Sequence, residues 1–74
     1  MRQARSLDQR DAAGRTPLLR AIDADDVQAV QQLLDDGANP RLPDLEGATP
    51  LDHAKRRGNT KVIELIEAAQ VRVP

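Results

Sequence analysis

The chain has 74 residues, a formal net charge of −1, and no cysteine, phenylalanine, tyrosine or tryptophan. A chain of this length forms one small domain at most, and without cysteine it has neither a disulfide nor a thiolate metal site. The near-balanced charge and the lack of aromatic rings argue against a nucleic-acid partner, which needs a basic surface or stacking platforms.

Turn and helix signals alternate along the chain. Asp11 to Gly14 predicts a tight turn, and Thr16 followed by Pro17 predicts a helix start, because threonine caps a helix and proline suits its first position. Apolar residues at helical spacing then predict a second helix that stops at Gly37. The same order returns in the second half of the chain. The predicted helices cover residues 17–24, 26–36, 50–57 and 60–70.

One stretch of the chain recurs 33 residues later. Within an 11-residue window, six residues match in one order and without gaps. The matching pairs are Asp11 and Asp44, Gly14 and Gly47, Thr16 and Thr49, Pro17 and Pro50, Leu18 and Leu51, and Ala21 and Ala54. A fixed period of this length predicts a repeat architecture.

The two copies, "DAAGRTPLLRAIDADDVQAVQQLLDDGANP" and "DLEGATPLDHAKRRGNTKVIELIEAA", resemble ankyrin repeats. The resemblance implies an all-α, ankyrin-type solenoid of helix-turn-helix repeats with short hairpin-like turns. Residues 11–43 form the first repeat, and residues 44–74 form a second repeat that resembles a C-terminal cap. Residues 1–10 form a polar arm that resembles the tail of a preceding repeat.

Two positions depart from the family pattern. Leu19 and Asp52 stand where the family has histidine after "TPL", so we expect the hydrogen bonds of that histidine to be absent or replaced. Asp25 stands where the second copy has Gly58, in the loop between helices. Aspartate tolerates a left-handed backbone less well than glycine, so Asp25→Gly is predicted to stabilise the fold.

The resemblance implies a module that binds another protein through the turn tips and the concave face of the first helices, without catalysis. Leu45 stands out among the tip residues, because an apolar side chain there has no evident core to join. Carried over by register, the predicted partner-binding residues are Ala13, Arg15, Arg20, Asp23, Leu45, Glu46, Ala48, His53, Arg56 and Arg57.

Assembly is the alternative function. Two repeats are fewer than the three or so that such arrays usually need, so three explanations are open: the capped end of a longer array, a module that self-associates through an uncapped face of the first repeat, or a minimal module that its partner stabilises. Leu19, Ile22 and Leu34 are the candidates for that face. The basic run "KRRGNTK" is interpreted as a solvated helix end, as recognition of an acidic partner, or as the source of a pair between Asp23 and Arg56 across the repeats.

Chemical sites are not predicted. The single serine, Ser6, and the single histidine, His53, give no catalytic constellation, one histidine does not make a zinc site, and the four glycines are isolated, so no phosphate loop is expected. An enzyme, a cofactor and a metal are therefore not expected. With no apolar run near the roughly 20 residues that cross a bilayer and no secretory signal, we expect no membrane partner and a cytoplasmic location.

Overall fold

Each first helix begins at a Thr-Pro pair, and each second helix follows after a short loop. The computed structural model describes residues 9–72, without the side chain of the last of them. The predicted helix ranges are confirmed to within one or two residues, and the described part of the chain contains no strand. The helices are α1 (Pro17–Asp23), α2 (Val27–Asp35), α3 (Pro50–Arg57) and α4 (Thr60–Arg72). Most of the predicted polar arm, residues 1–8, lies outside the described residues.

The first helices are capped by the predicted threonines, but in two different ways. The Thr16 hydroxyl accepts a hydrogen bond from the N–H of Leu19 at 3.3 Å, and the Thr49 hydroxyl accepts one from the N–H of Asp52 at 3.1 Å. In the second copy the Asp52 carboxylate also accepts a hydrogen bond from the N–H of Thr49 at 3.1 Å, which completes a capping box. Leu19, at the equivalent position of the first copy, has no side-chain acceptor. The backbone N–H of Thr49 is the main cause of the lowered pKa of Asp52. Asp52 therefore strengthens the helix start from the position where the family has histidine.

The loops between the helices use a left-handed residue followed by a cap. Asp25 has φ +56° and Gly58 has φ +70°, so both copies adopt the conformation predicted for this position. Asp26 then caps α2 by accepting from the N–H of Ala29 at 3.1 Å. Asn59 does the same for α4, accepting from the N–H three residues later at 3.3 Å. These local bonds fix where each second helix begins.

The helices stack in two layers, with α1 on α3 and α2 on α4, while α1 also packs on α2 and α3 on α4. The shared core is made of aliphatic residues with little or no exposure. Burying a leucine, isoleucine or valine side chain stabilises a fold by roughly 1.5–3 kcal/mol, and alanine at the centre allows close helix approach. The core residues are Leu18, Ala21, Ile22, Val30, Leu34, Ala54, Val62, Ile66 and Ala69.

The predicted apolar face of the first repeat is not exposed. Leu19 and Ile22 are fully buried, and Leu34 is 8% exposed. Ile22 and Leu34 belong to the core, because α1 and α2 pack against each other and against the helices of the second copy. The assignment of these three residues to an open face is therefore wrong. None of the described helices is long and apolar enough to cross a membrane.

Candidate functional site

Each turn is closed by the aspartate that begins it. Asp11 Oδ1 accepts hydrogen bonds from the backbone N–H groups two and four residues later, at 2.9 and 3.0 Å, and Asp44 Oδ1 does the same at 2.9 and 2.9 Å. The N–H of Arg15 is the main cause of the lowered pKa of Asp11, and the N–H of Ala48 is the main cause of the lowered pKa of Asp44. One carboxylate oxygen in each copy is thus committed to the turn.

The second oxygen of each aspartate faces the first helix. Asp11 Oδ2 lies 3.7 Å from Nε of Arg20, and Asp44 Oδ2 lies 2.9 Å from Nε2 of His53. Arg20 and His53 occupy equivalent positions, 33 residues apart. The first pair is exposed, whereas Asp44 and His53 are buried. The contact between the turn aspartate and the first helix is therefore a surface ion pair in one copy and a buried contact in the other.

His53 also ties the second copy to the first. Its Nδ1 lies 2.8 Å from Oδ1 of Asp23, and the other Asp23 oxygen lies 3.4 Å from Nε of Arg15. A carboxylate oxygen only accepts, so both contacts are hydrogen bonds only when the imidazole carries both protons. Both ring nitrogens are engaged and the residue is 3% exposed, so His53 is held as a structural bridge rather than presented to a substrate.

A second link between the copies joins the two loops. Arg57 donates from Nη2 to Oδ2 of Asp25 at 3.1 Å. This bond is the main cause of the lowered pKa of Asp25 and of the raised pKa of Arg57. The predicted pair between Asp23 and Arg56 is not formed, because Asp23 is taken by His53 and Arg15.

The predicted partner-binding residues divide by exposure. Asp23 is half-buried, and its carboxylate is engaged as described. Ala48 is 6% exposed and His53 is 3% exposed, so both are buried, Ala48 in the turn that Asp44 closes and His53 between two carboxylates. Their role in partner binding stays a prediction. The exposed residues of the set are Ala13, Arg15, Arg20, Leu45, Glu46, Arg56 and Arg57.

Leu45 lies at the tip of the second turn and contacts the first turn. It is 74% exposed, yet its side chain occupies the space where a β-carbon on Gly14 would stand. Gly14 has φ +80°, which also favours glycine. The two tips are therefore packed together, with an apolar side chain left largely in solvent above them.

A cleft opens between the first turn and the two first helices. It has a volume of about 320 Å³ and is lined by Arg15, Asp23, His53, Arg56 and Arg57. Three guanidinium groups thus line the cleft beside one carboxylate. No cluster of three or more potential metal ligands occurs within the part of the chain that the structure describes.

A family model described as ankyrin repeats (3 copies) matches residues 2–73. The chain belongs to the ankyrin repeat family. An ankyrin repeat domain from Acinetobacter baumannii AYE, solved as a crystal structure, superposes with a TM-score of 0.81 at 38% sequence identity, over 86% of this chain and 35% of that one. The all-α ankyrin fold predicted from the sequence is thereby confirmed.

Two curated relatives that match this chain are both much longer than it is. The "Putative ankyrin repeat protein YahD" of Escherichia coli (strain K12) is 44% identical over an alignment of 69 residues that covers 86% of this chain and 34% of YahD. The human mitochondrial disaggregase is 44% identical over 55 residues, 74% of this chain but 8% of the disaggregase. The chain therefore spans about a third or less of the relatives it matches. Ankyrin repeats generally serve as protein-interaction modules.

Sequence reasoning missed the contacts from the turn aspartates to the first helices, and it missed the contact from His53 to the first copy. The pairs Asp11 with Arg20 and Asp44 with His53 each join an acidic and a basic residue nine positions apart, so the repeat alignment contains a signal for them. The contact from His53 to Asp23 crosses between repeats and has no such periodic signal. Only the packing of α1 on α3 brings it about.

Proposed function

We propose that this chain is a non-catalytic protein-interaction module that binds a partner through its turn tips and the exposed face of its first helices. The observation that carries the proposal is Leu45, a leucine that is 74% exposed at a turn tip and is held there by contact with Gly14. When a partner covers a large apolar side chain that is otherwise in solvent, the removal of its surface from water stabilises the complex. Its neighbours on the same side are charged, which suits the polar rim of an interface.

The internal bonds of the site support recognition rather than catalysis. The aspartates of both turns and the buried histidine are used in holding the tips and helices together. A rigid scaffold of this kind loses little conformational entropy when it binds. The side chains that remain exposed, such as Arg20, Glu46 and Arg56, are then free to select a partner.

Photocrosslinking tests which face binds. A photoreactive phenylalanine analogue placed at Leu45 or at Arg20, one site per variant, should give the same discrete crosslinked protein in the organism that makes the chain. The control position is Gln28, which is exposed on α2 in the other layer. Crosslinks from Gln28 alone, or none from either first-layer position, would contradict the proposal.

Self-assembly is separated from partner binding by mass. If the crosslinked product from Leu45 or Arg20 is a second copy of the chain, and sedimentation equilibrium shows a dimer, the module serves assembly instead. Detection must use far-ultraviolet absorbance or interference, because the chain has no aromatic residue.

A further inference from the structure

We propose that the cleft lined by Arg15, Asp23, His53, Arg56 and Arg57 receives a carboxylate side chain from an acidic segment of the partner protein; this inference rests on the proposed function. The lining carries three guanidinium groups and one carboxylate, in a chain whose net charge is −1. The local excess of cations is therefore a property of this cleft and not of the whole molecule.

Most hydrogen-bond donors of the cleft remain available. Arg56 forms no ion pair of 4 Å or less with any residue in the range 9–72 that the structure describes, and Arg57 uses one nitrogen for Asp25 at 3.1 Å. Arg15 contacts Asp23 through Nε alone, at 3.4 Å. Each guanidinium has five N–H donors in a planar fork that fits a carboxylate through two parallel bonds. One incoming carboxylate can thus be bound without breaking the existing pairs.

The carboxylate that already lines the cleft, Asp23, contacts only one nitrogen of the three arginines, Nε of Arg15 at 3.4 Å. Both oxygens of Asp23 are engaged, one by Nδ1 of His53 at 2.8 Å and the other by Arg15. His53 is buried beneath and is fixed from its other side by Asp44 at 2.9 Å. The floor of the cleft is therefore rigid, and its geometry is set before a ligand arrives.

A protein carboxylate fits this cleft better than a nucleic-acid backbone. Asp25 and Asp26 lie in the loop after α1 and are exposed, so a polyanion that runs past the cleft meets like charges. The chain also has no aromatic side chain on which bases stack. A single acidic side chain needs no stacking platform, and it brings one negative charge rather than several near Asp25, which is paired with Arg57 at 3.1 Å.

Two peptides in a Gly-Ser background provide the probe, one with two consecutive glutamates and one with two glutamines. They are titrated into the full chain at low salt, and the side-chain Nε–Hε signals of Arg15, Arg56 and Arg57 are followed by NMR. Saturable shifts are expected with the glutamate peptide only. Arg56→Gln should weaken its binding about tenfold, the loss of one charge-assisted contact.

Lys55→Gln is the matched control, because Lys55 is also an exposed cation on α3 and lies outside the lining of the cleft. Both Lys55 and Arg56 act electrostatically on Asp52, so the two variants perturb the helix alike, and Lys55→Gln should change binding less than twofold. Arg56→Lys should restore part of the affinity, and circular dichroism should show that each variant folds.

Three results would overturn the inference. These are equal weakening by the Lys55 and Arg56 variants, equal shifts with the glutamine peptide, or equal shifts with sodium phosphate or a thymidine oligonucleotide at the same ionic strength. If a crosslinked partner binds Arg56→Gln as tightly as the natural chain, the proposed function stands and the acidic specificity falls. If no partner is crosslinked from the first-layer positions, the proposed function itself fails.

Discussion

Replacing Gly14 with alanine should destabilise the protein more than the same replacement at Gly47. The two glycines are equivalent in the repeats and have φ values of +80° and +85°. A β-carbon in this left-handed region costs roughly 1–2 kcal/mol at either site. At Gly47 nothing lies within 4 Å of that carbon, whereas at Gly14 it would overlap the side chain of Leu45. The difference between the two variants measures the packing of one tip on the other.

The size of the difference follows from the exposure of Leu45. Because this side chain is 74% exposed, it can rotate away and relieve the overlap with its Cγ and Cδ1. Its Cβ cannot move in that way and would remain 3.1 Å from the new carbon. A strained side chain costs about 0.5–1.5 kcal/mol, so Gly14→Ala should cost about 1 kcal/mol more than Gly47→Ala. For a domain of this size that is about 4–8 °C in Tm.

Thermal and urea unfolding measure this difference. They are followed by circular dichroism at 222 nm, because the chain has no tryptophan or tyrosine whose fluorescence could be used. The same two glycine changes are then made in a Leu45→Gly background, which removes the Cβ as well as the Cγ and Cδ1 that the new carbon would meet, so both should cost the same. Equal costs in the natural background would refute the tip contact. An excess at Gly14 that persists after Leu45→Gly would place the strain in the backbone instead.

Three further predictions concern the loop, the buried aspartate and the core. Asp25→Gly relieves a left-handed residue but removes the ion pair with Arg57, so its urea midpoint should exceed that of the natural chain in 1 M salt, where the pair is screened; a lower midpoint there would contradict the strain argument. The pKa of Asp44 is lowered, mainly by a backbone N–H, so its contribution is present above the unfolded pKa, near 3.9, and is lost as pH falls through the folded value. Asp44→Asn should flatten the loss of stability below about pH 4 when urea unfolding is followed at a series of pH values, and an unchanged loss would contradict this. Ile66→Ala, in the fully buried core, should cost about 2–5 kcal/mol, and a cost below about 1 kcal/mol by urea unfolding would contradict its central position.

The helices and their starts could be predicted because their causes are local. A threonine bonds the N–H three residues later, as Thr16 and Thr49 do, and proline and glycine act through their own backbone angles. The 33-residue period then placed two copies of the same unit in register. These interactions lie within a few residues, so the sequence contains all their partners.

Contacts between the repeats could not be predicted in the same way. Alignment suggested that Asp23 meets Arg56, whereas the structure pairs Asp23 with His53 and Arg57 with Asp25. Successive residues of an α-helix point about 100° apart, so the partner across a seam depends on how far each helix is rotated about its axis. The alignment of the two repeats does not specify that rotation.

The sequence by itself determined the family, the four helices and the turns, and it predicted a set of residues for the proposed binding face. The tertiary structure alone decided which of those residues are accessible: it buried His53 and Ala48 and left Leu45 exposed over Gly14. It also brought Arg15 of one repeat and Arg56 and Arg57 of the next around one cleft. The physical reason is that burial and charge clustering depend on distances between helices, which packing sets and local sequence does not.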